Sequence, residues 1–212
     1  MSKITVIGGT GYVGGNIVAE AADRGHEVVA VSRTAPAEPV SGVDYRQGSA
    51  DDATVVADAI ADADAVVASL SPRGDMAGRT LAAYQGIADA ALASGTRLIV
   101  IGGFNGLRES EGGPRFADSL DPEWPYRDEA LEAVEVLDWL QSDAPEGLDW
   151  TFVSPAAVFG AFAPGERTGN YRISGEVSLG GQESTLSGPD LGVALVDAIE
   201  QDSHRGHIGV VN

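Results

Sequence analysis

The amino-acid sequence predicts an α/β fold in which a single doubly wound parallel sheet carries helices on both faces. Short runs of branched apolar residues alternate along the chain with longer stretches that have helical periodicity. This alternation is typical of strand–helix–strand units. The runs are apolar throughout rather than at every second position, as expected for strands that are covered on both sides.

The candidate strands are short and rich in valine and isoleucine. They are Ile4–Ile7, Val28–Val31, Val66–Ala68, Leu98–Ile101 and Thr151–Val153. Four segments with apolar residues at helical spacing lie between or after these strands. The helical segments run from Val13 to Arg24, from Leu81 to Gly95, from Asp128 to Gln141 and from Ser187 to Ala198. The apolar stripe of the second helix is expected to include Tyr84, Ala88 and Leu92.

Two long segments interrupt the alternation. Residues 102–125 and 160–181 are rich in glycine, proline and acidic residues, and each follows a predicted strand. Ligands of open α/β sheets bind beyond the carboxyl ends of the strands. We therefore expect one domain over residues 1–212, with these two segments as substrate-side loops. Ordinary surface loops are the alternative.

The charge balance limits the range of partners. The chain has 32 acidic and 13 basic residues, a formal net charge of −19, and Lys3 as its only lysine. This argues against nucleic acid as a partner, because phosphate binding needs clustered lysine or arginine. An acidic surface almost without lysine resembles the cytoplasmic proteins of salt-accumulating microbes and predicts a halophilic protein. An acidic mesophilic protein is the alternative.

The length of the apolar runs and the residues at the start of the chain predict where in the cell the protein is located. None of them approaches the roughly 20 residues that a bilayer span needs. The start of the chain leads into a strand without the basic and apolar regions of a signal peptide. We expect a cytoplasmic protein with no membrane partner, and the number of subunits stays open.

A glycine-rich turn joins the first strand to the first helix. In the sequence GGTGYVG, Gly9 and Gly11 permit a tight turn and close approach to a pyrophosphate, and Gly14 lets helix and strand pack. The following helix N-terminus offers free N–H groups to the phosphates. A P-loop is excluded, because its lysine is absent. The residues expected at this dinucleotide are Gly8, Gly9, Thr10, Gly11, Tyr12, Val13 and Gly14.

The end of the second strand indicates which dinucleotide is preferred. An NAD site usually has an acidic residue here that binds the ribose 2′-hydroxyl. This chain has Ser32 and Arg33 instead. A guanidinium suits a 2′-phosphate, so we expect NADP (as NADPH) to be preferred while NAD remains possible.

Several blocks of the sequence resemble a known family. IGGTGYVGG, the SRT after the second strand and LIVIGG are similar to atypical short-chain dehydrogenase/reductases. GLDWTFVSPAAVF, PGERTGNYRI and LSGPDLGVALVDAIE resemble the NADH-flavin reductase-like branch, near the NmrA-like and biliverdin-reductase-B-like groups. The resemblance spans nearly the whole chain and implies a Rossmann fold with NAD(P) bound across Gly8–Gly14.

The resemblance also implies which further residues surround the cofactor. Ser32 and Arg33 fall at the adenosine ribose, and Ser49, where relatives have an acid, falls with Ala50 at the adenine. Leu70 and Ser71 lie beside the ribose and pyrophosphate. The residues that border the nicotinamide are Gly102, Gly103, Ser154, Pro155 and Ala156.

The chain lacks the residues of carbonyl–alcohol dehydrogenation. Short-chain dehydrogenases use a Tyr-x-x-x-Lys pair for proton transfer, but Tyr126 is followed four positions later by Ala130. Gly102 and Gly103 replace the usual catalytic serine. Tyr126 is therefore only a weak catalytic candidate, and the catalytic residues stay unknown.

Hydride transfer to a flavin or quinone needs less from the protein, because the reduced acceptor delocalises its charge. Solvent can then supply the proton. Phe104, Trp124, Tyr126 and Phe159 are candidates for one apolar wall on which a planar acceptor stacks. Packing of these side chains in the core or in loops is the alternative.

Two functions therefore compete. The first is an NAD(P)H-dependent reductase of a small planar acceptor, with flavin as a possible substrate. The second is a non-enzymatic NADP-binding sensor of the NmrA type, and a sugar epimerase is a distant third. His204 and His207 stand three apart without the context that would specify a metal, so no metal site is predicted.

Overall fold

The computed structural model describes all residues from Met1 to Asn212 and confirms the α/β fold. One eight-stranded sheet has the order β3-β2-β1-β4-β5-β6-β8-β7. The strands are β1 (Lys3–Ile7), β2 (Glu27–Ser32), β3 (Asp44–Gln47), β4 (Ala65–Ala68), β5 (Arg97–Ile101), β6 (Trp150–Pro155), β7 (Arg172–Ser174) and β8 (Gly206–Val211). The helices are α1 (Tyr12–Asp23), α2 (Ala53–Ile60), α3 (Thr80–Ser94), α4 (Arg127–Ser142) and α5 (Gly188–Glu200).

The sheet is mostly parallel, with one exception. β7 pairs antiparallel with β8 at the edge, whereas every other neighbouring pair is parallel. Neither β7 nor β8 was among the candidate strands. β7 has only three residues, and β8 has glycine at positions 206 and 209, so neither shows a long apolar run.

The apolar strands supply two cores, one on each face of the sheet. Ile4 and Val6 of β1 pack with α1 and α5, whereas Ile7 packs with α2, α3 and α4 on the other face. Val28 and Val29 of β2 divide between the two cores in the same way. Burying such a side chain contributes about 1.5–3 kcal/mol. This two-sided burial explains why the strands are apolar throughout.

The helix boundaries follow local signals. α3 ends at Gly95, which has a φ of +70° that favours glycine. Ser187 caps α5 by accepting a hydrogen bond from the Asp190 N–H at 3.0 Å. Leu92 was predicted to face inward, but its side chain is 37% exposed, whereas Tyr84 and Ala88 are buried. None of the helices combines the length and apolar composition that crossing a bilayer requires.

The PGERTG block holds α5 through a buried carboxylate. Asp190 is fully buried and accepts hydrogen bonds from Thr168 N and Oγ1 and from Gly169 N, all at 2.8 Å. A fourth comes from Asn212 Nδ2 at 2.7 Å. Four donors therefore satisfy the carboxylate. This part of the predicted substrate-side loop 160–181 packs against the protein.

The same block holds α1 through an ion pair. Arg167 donates from Nε and Nη2 to the buried Glu20 carboxylate, both at 2.8 Å. Arg24 adds a third hydrogen bond to Glu20 at 2.8 Å and reaches Asp197 of α5 at 2.6 Å. Hydrogen bonding by Arg167 lowers the pKa of Glu20 despite its burial. We call Glu20, Arg24, Arg167, Asp190 and Asp197 the polar clamp, because together they join α1, α5 and the loop.

Replacing Asp190 by asparagine should lower the free energy of unfolding by about 1–3 kcal/mol at neutral pH. An amide nitrogen would then face hydrogen-bond donors in a buried site. Urea denaturation measures the difference. The matched control is Asp89→Asn, at an exposed position on α3, which should leave stability within about 0.5 kcal/mol of wild type.

Wild type and Asp190→Asn also test how the contribution of Asp190 to stability depends on pH. Burial raises the pKa of Asp190, but the hydrogen bonds from Thr168, Gly169 and Asn212 outweigh it and hold the pKa below its usual value. Such a carboxylate stabilises the fold above its unfolded-state pKa and loses that contribution as the pH falls through its folded-state pKa. The stability difference should therefore be constant near neutrality and shrink below about pH 4. A difference that grew on acidification would contradict this assignment.

Candidate functional site

The predicted site lies at the point where the order of the strands in the sheet reverses, between β1 and β4. β2 and β3 lie on one side of β1, whereas β4, β5 and β6 lie on the other. The crevice therefore opens at the carboxyl ends of β1 and β4. A Cβ added at Gly8, directly after β1, would lie 2.1 Å from the Ser69 carbonyl oxygen after β4. The two loops are thus in direct contact at the crevice.

The glycines after β1 are required for different reasons. Gly8 has a φ of +87° and no room for a side chain. A Cβ at Gly9 would lie 2.8 Å from Ala30 Cβ of β2, and one at Gly14 would lie 2.2 Å from the Gly8 oxygen. At Gly11 the nearest such atom is the Gly8 oxygen at 3.4 Å. The protein itself therefore leaves room at Gly11, which is the glycine predicted to approach the pyrophosphate.

The N-terminus of α1 is open. Gly11 is its N-cap, with φ −74° and ψ 170°, and no side chain caps the helix. The first N–H groups of a helix have no partner within it and carry its positive dipole end. The Gly8 and Gly9 N–H groups are already used, because both donate to the Val31 oxygen, at 2.8 and 3.1 Å. The cradle fits a pyrophosphate at the helix end, with Thr10, Tyr12 and Val13 offering backbone groups.

The Tyr12 side chain joins this turn to the rest of the protein. Its hydroxyl donates to the Pro164 oxygen and accepts from the Gly188 N–H, both at 3.0 Å. Its ring centroid lies 5.7 Å from that of Phe159. The side chain is therefore engaged by the loop after β6 and by α5, which leaves the Tyr12 backbone for a phosphate.

The part of the site predicted to bind the adenosine half of the cofactor begins at the end of β2. The Ser32 hydroxyl donates to the Thr34 oxygen at 2.6 Å. The Arg33 side chain is 57% exposed, and its nearest ionic partner is the exposed Asp75 carboxylate at 3.5 Å. The guanidinium is thus largely free to meet an anion. A cavity of about 300 Å³ beside the glycine turn is lined by Gly9, Thr10, Gly15, Pro36, Ala37, Glu38, Val40 and Tyr45.

The other predicted residues all lie at the same edge of the sheet. Ser49 and Ala50 lie between β3 and α2, and Leu70 and Ser71 follow β4. The nicotinamide-side candidates follow β5 or end β6: Gly102, Gly103, Ser154, Pro155 and Ala156. The fold therefore brings these sequence-distant groups to one crevice, while their contacts with a cofactor stay predictions.

A buried tyrosine fixes the ends of β4 and β5. The Tyr84 hydroxyl accepts from the Leu70 N–H at 3.1 Å and lies 3.3 Å from the oxygens of Ala68 and Ile101. Burial raises the pKa of Tyr84 strongly. This tyrosine is a structural link and not an acid for the site. Its position on a buried helix face was the only signal in the sequence.

Packing explains why glycine stands at position 102, directly after β5. A Cβ at Gly102 would lie 1.9 Å from Cζ of Phe152 on the neighbouring strand β6. The phenyl ring occupies the space that a serine side chain would need. Because Phe152 is fully buried, the ring cannot move aside cheaply.

Sequence reasoning missed a partly buried polar pair on β6 and β8. Ser154 Oγ lies 2.9 Å from His207 Nε2, and the His207 ring stands edge-on to Phe152 at 5.5 Å. Burial, with the nearby Arg115 and Arg108 guanidiniums, lowers the pKa of His207 to about 4. The imidazole is therefore neutral at pH 7. No group of three or more histidine, aspartate or glutamate side chains is arranged to hold a metal ion.

The predicted aromatic wall does not form as a single surface. Phe104 packs on Phe116 at 4.4 Å, Trp124 packs on Tyr126 at 5.7 Å, and Phe159 packs on Tyr12. The four side chains thus belong to three separate pairs, in which each ring packs on a different neighbour. Tyr126 is 52% exposed and lies under the Arg73 guanidinium, 5.6 Å from its ring centroid.

Gly11→Val should abolish NADPH binding while lowering stability by no more than about 1 kcal/mol. The backbone at Gly11 is accessible to any residue, so the branched side chain would fill only the space predicted for the pyrophosphate. Calorimetric titration of the folded variant measures this.

Gly14→Ala is the comparison variant for Gly11→Val, because it places a side chain in the same turn at a glycine that packing requires. Its Cβ would meet the Gly8 oxygen, so it should destabilise the fold by about 1–3 kcal/mol. Undiminished NADPH affinity in Gly11→Val would refute the assignment of this turn to the phosphates.

Comparison with known proteins agrees with this geometry over the full chain. An uncharacterized Bacillus subtilis protein, YwnB, is 34% identical over 215 residues, covering 96% of this chain and 94% of its own. A Streptococcus pneumoniae structure provisionally named as an NADH-flavin reductase is 29% identical, with full coverage of both chains and a TM-score of 0.84. A Bacteroides thetaiotaomicron structure provisionally named as an epimerase is 26% identical, with 99% and 96% coverage and a TM-score of 0.84.

The family itself is identified from the sequence. The model of the NAD(P)H-binding family matches residues 8–202, from the glycine turn to the end of α5. The matched region includes the crevice, the clamp and every predicted cofactor residue. The chain therefore belongs to the NAD(P)H-binding family, in the NmrA-like group of atypical short-chain dehydrogenase/reductases.

Proposed function

We propose that the protein is an NAD(P)H-dependent reductase that transfers hydride to a planar acceptor such as a flavin or a quinone. One observation carries the proposal: the glycine turn and uncapped helix N-terminus that would hold a dinucleotide occur in a chain without the tyrosine–lysine pair of carbonyl-reducing enzymes. Gly102, packed by Phe152, and Ala130 stand where such enzymes place serine and lysine. The name of the Streptococcus pneumoniae relative supports the same chemistry.

The chain's own residues would act by binding and positioning. The backbone of Gly8–Gly14 holds the pyrophosphate, and Leu70 and Ser71 lie next along the crevice. Gly102 and the segment Ser154–Ala156 border the reactive half. When bound, the reduced nicotinamide supplies the hydride.

The proton would come from solvent. Reduced flavins and quinones delocalise their negative charge, so a positioned acid is not essential. Tyr126 is the nearest match to a short-chain dehydrogenase tyrosine, but Arg73 covers its ring and no lysine lies one turn on. His207 is neutral and lies within hydrogen-bond distance of Ser154.

A non-enzymatic NADP sensor of the NmrA type is the second candidate. It is favoured by the same packing of Phe152 against Gly102, because a protein that only senses the cofactor needs no catalytic serine. An epimerase is less well supported, since it would need the tyrosine–lysine pair that is missing here. Measuring NADPH oxidation in the presence of an acceptor distinguishes the reductase from the sensor.

The experiment is steady-state NADPH oxidation with riboflavin, FMN, FAD and several quinones. We expect turnover with at least one acceptor. Tyr126→Phe should retain activity within about 3-fold, whereas loss of a general acid typically costs 100-fold or more. Binding of NADPH without oxidation by any of these acceptors would exclude the reductase and favour the sensor.

The preference for NADP is also a proposal, and it depends on Arg33. NADPH should bind more tightly than NADH by about 1–3 kcal/mol at low salt, and Arg33→Ala should remove most of that difference. NADH affinity should stay unchanged. Calorimetry on both cofactors, repeated in molar KCl, shows how far screening weakens the exposed contact.

Arg46→Ala is the matched control for Arg33→Ala. Its guanidinium is already bonded to Asp44 and to the Asp58 oxygen, so neither cofactor should be affected. Asp75→Asn should strengthen NADPH binding, because it removes the carboxylate beside Arg33. Equal affinities of the wild type for NADH and NADPH at low salt would show that Arg33 is only a surface residue.

A further inference from the structure

Phe162 is an exposed aromatic side chain that the site described above does not use. It is 78% exposed, more than any other large hydrophobic residue except Met1 at the chain terminus. It lies in the segment that follows β6, in the sequence GAFAPG. An aromatic ring left in water forgoes the stabilisation that burial would give it. A ring exposed in this way is available for contact with a ligand or a partner.

The turn that carries Phe162 is held on both sides. Before it, the Val158 N–H donates to the Ser184 oxygen at 2.9 Å. After it, the Pro164 oxygen accepts from the Tyr12 hydroxyl at 3.0 Å. Between these anchors, the Ala163 N–H donates to the Gly160 oxygen at 2.9 Å and closes the turn. The exposed ring is therefore carried by an anchored turn.

Glycine at position 160 sets the position of the ring. Its φ is +146°, and a Cβ there would lie 2.9 Å from Cε1 of Phe162. The ring thus packs against the Gly160 backbone on one side and leaves its remaining surface to solvent. Such preorganisation lowers the entropy lost when a ligand stacks on the ring.

The turn stands beside the predicted cofactor site. Both of its flanks contact Tyr12, the first residue of α1: Phe159 through its ring and Pro164 through its carbonyl. The segment begins at Ser154–Ala156, which is predicted to border the nicotinamide. Phe162 is therefore held near both the helix N-terminus and the end of β6.

The chemistry of the segment favours an uncharged, flat ligand. Residues 155–165 contain no charged side chain, in a chain whose net charge is −19. The net charge of −19 of the whole chain disfavours a ligand with an added phosphate, whereas it does not affect a neutral ring system. Aromatic side chains stack on flat rings in offset geometry.

We propose that Phe162 stacks on the acceptor and selects uncharged isoalloxazine or naphthoquinone rings. This inference rests on the proposed reductase function and adds the acceptor-binding residue. It also predicts that riboflavin binds more tightly than FMN, because FMN carries a phosphate.

The test uses the full chain saturated with NADP⁺ and riboflavin as the probe. Phe162→Ala should weaken riboflavin binding, measured by flavin fluorescence quenching, by about 5- to 50-fold, as expected for the loss of one aromatic stacking contact. Phe162→Tyr should restore affinity to within about 2-fold, because it keeps the ring. NADPH affinity should not change in either variant, and the exposed Leu92→Ala on α3 serves as control.

Turnover separates failure of this inference from failure of the proposed function. In an active wild type, Phe162→Ala should raise KM for riboflavin more than it lowers kcat, with a smaller effect for the compact 1,4-benzoquinone. Unchanged riboflavin affinity in Phe162→Ala, or a wild type that binds no flavin or naphthoquinone, would overturn the inference. Weakened binding in Phe162→Ala together with a wild type that never oxidises NADPH would remove the reductase function and leave the stacking site standing.

Discussion

The close approach of α1 to β1 is the constraint on which the site depends. The Gly8 carbonyl accepts the Gly11 N–H at 3.0 Å, and a Cβ at Gly14 would lie 2.2 Å from the same oxygen. One backbone oxygen therefore defines how the chain leaves the strand and how the helix begins. Because the helix starts so close to the sheet, its uncapped N-terminus faces the crevice. Anion binding at that end follows from the packing and needs no charged side chain.

A second set of contacts holds α1 at its other end. The polar clamp joins Glu20 and Arg24 to the PGERTG block and to Asp197 on α5. Most acidic groups of this chain lie at the surface, where they repel each other and respond to salt. The clamp carboxylates are instead hydrogen-bonded within the protein: Glu20 and Asp197 bond to guanidiniums, and Asp190 accepts four hydrogen bonds. The PGERTG block, which lies in the predicted substrate-side loop, therefore also supports α1, the helix that follows the glycine turn.

The parts that sequence reasoning predicted are those with local signals. The glycine turn, the apolar strands and the ends of α1 and α3 depend on neighbouring residues, and all were located correctly. The clamp depends on partners far apart in the chain, since Glu20 and Arg167 are 147 positions apart. The exclusion of a side chain at Gly102 likewise depends on Phe152, which no local pattern connects to it. The prediction of one aromatic wall was wrong. The composition of a loop shows that aromatic residues are present, but not which neighbour each ring packs against.

The packing at the ends of β5 and β6 explains what kind of chemistry suits this crevice. Phe152 fills the space that a side chain at position 102 would need, and the polar pair beside it, Ser154 and His207, is hydrogen-bonded. A histidine whose pKa is lowered to about 4 neither donates nor stores a proton at neutral pH. A carbonyl acceptor would need a proton delivered to its oxygen as the hydride arrives, and these residues do not supply one. An acceptor that stabilises its own negative charge has no such need, which is why we propose an electron-poor ring as the acceptor.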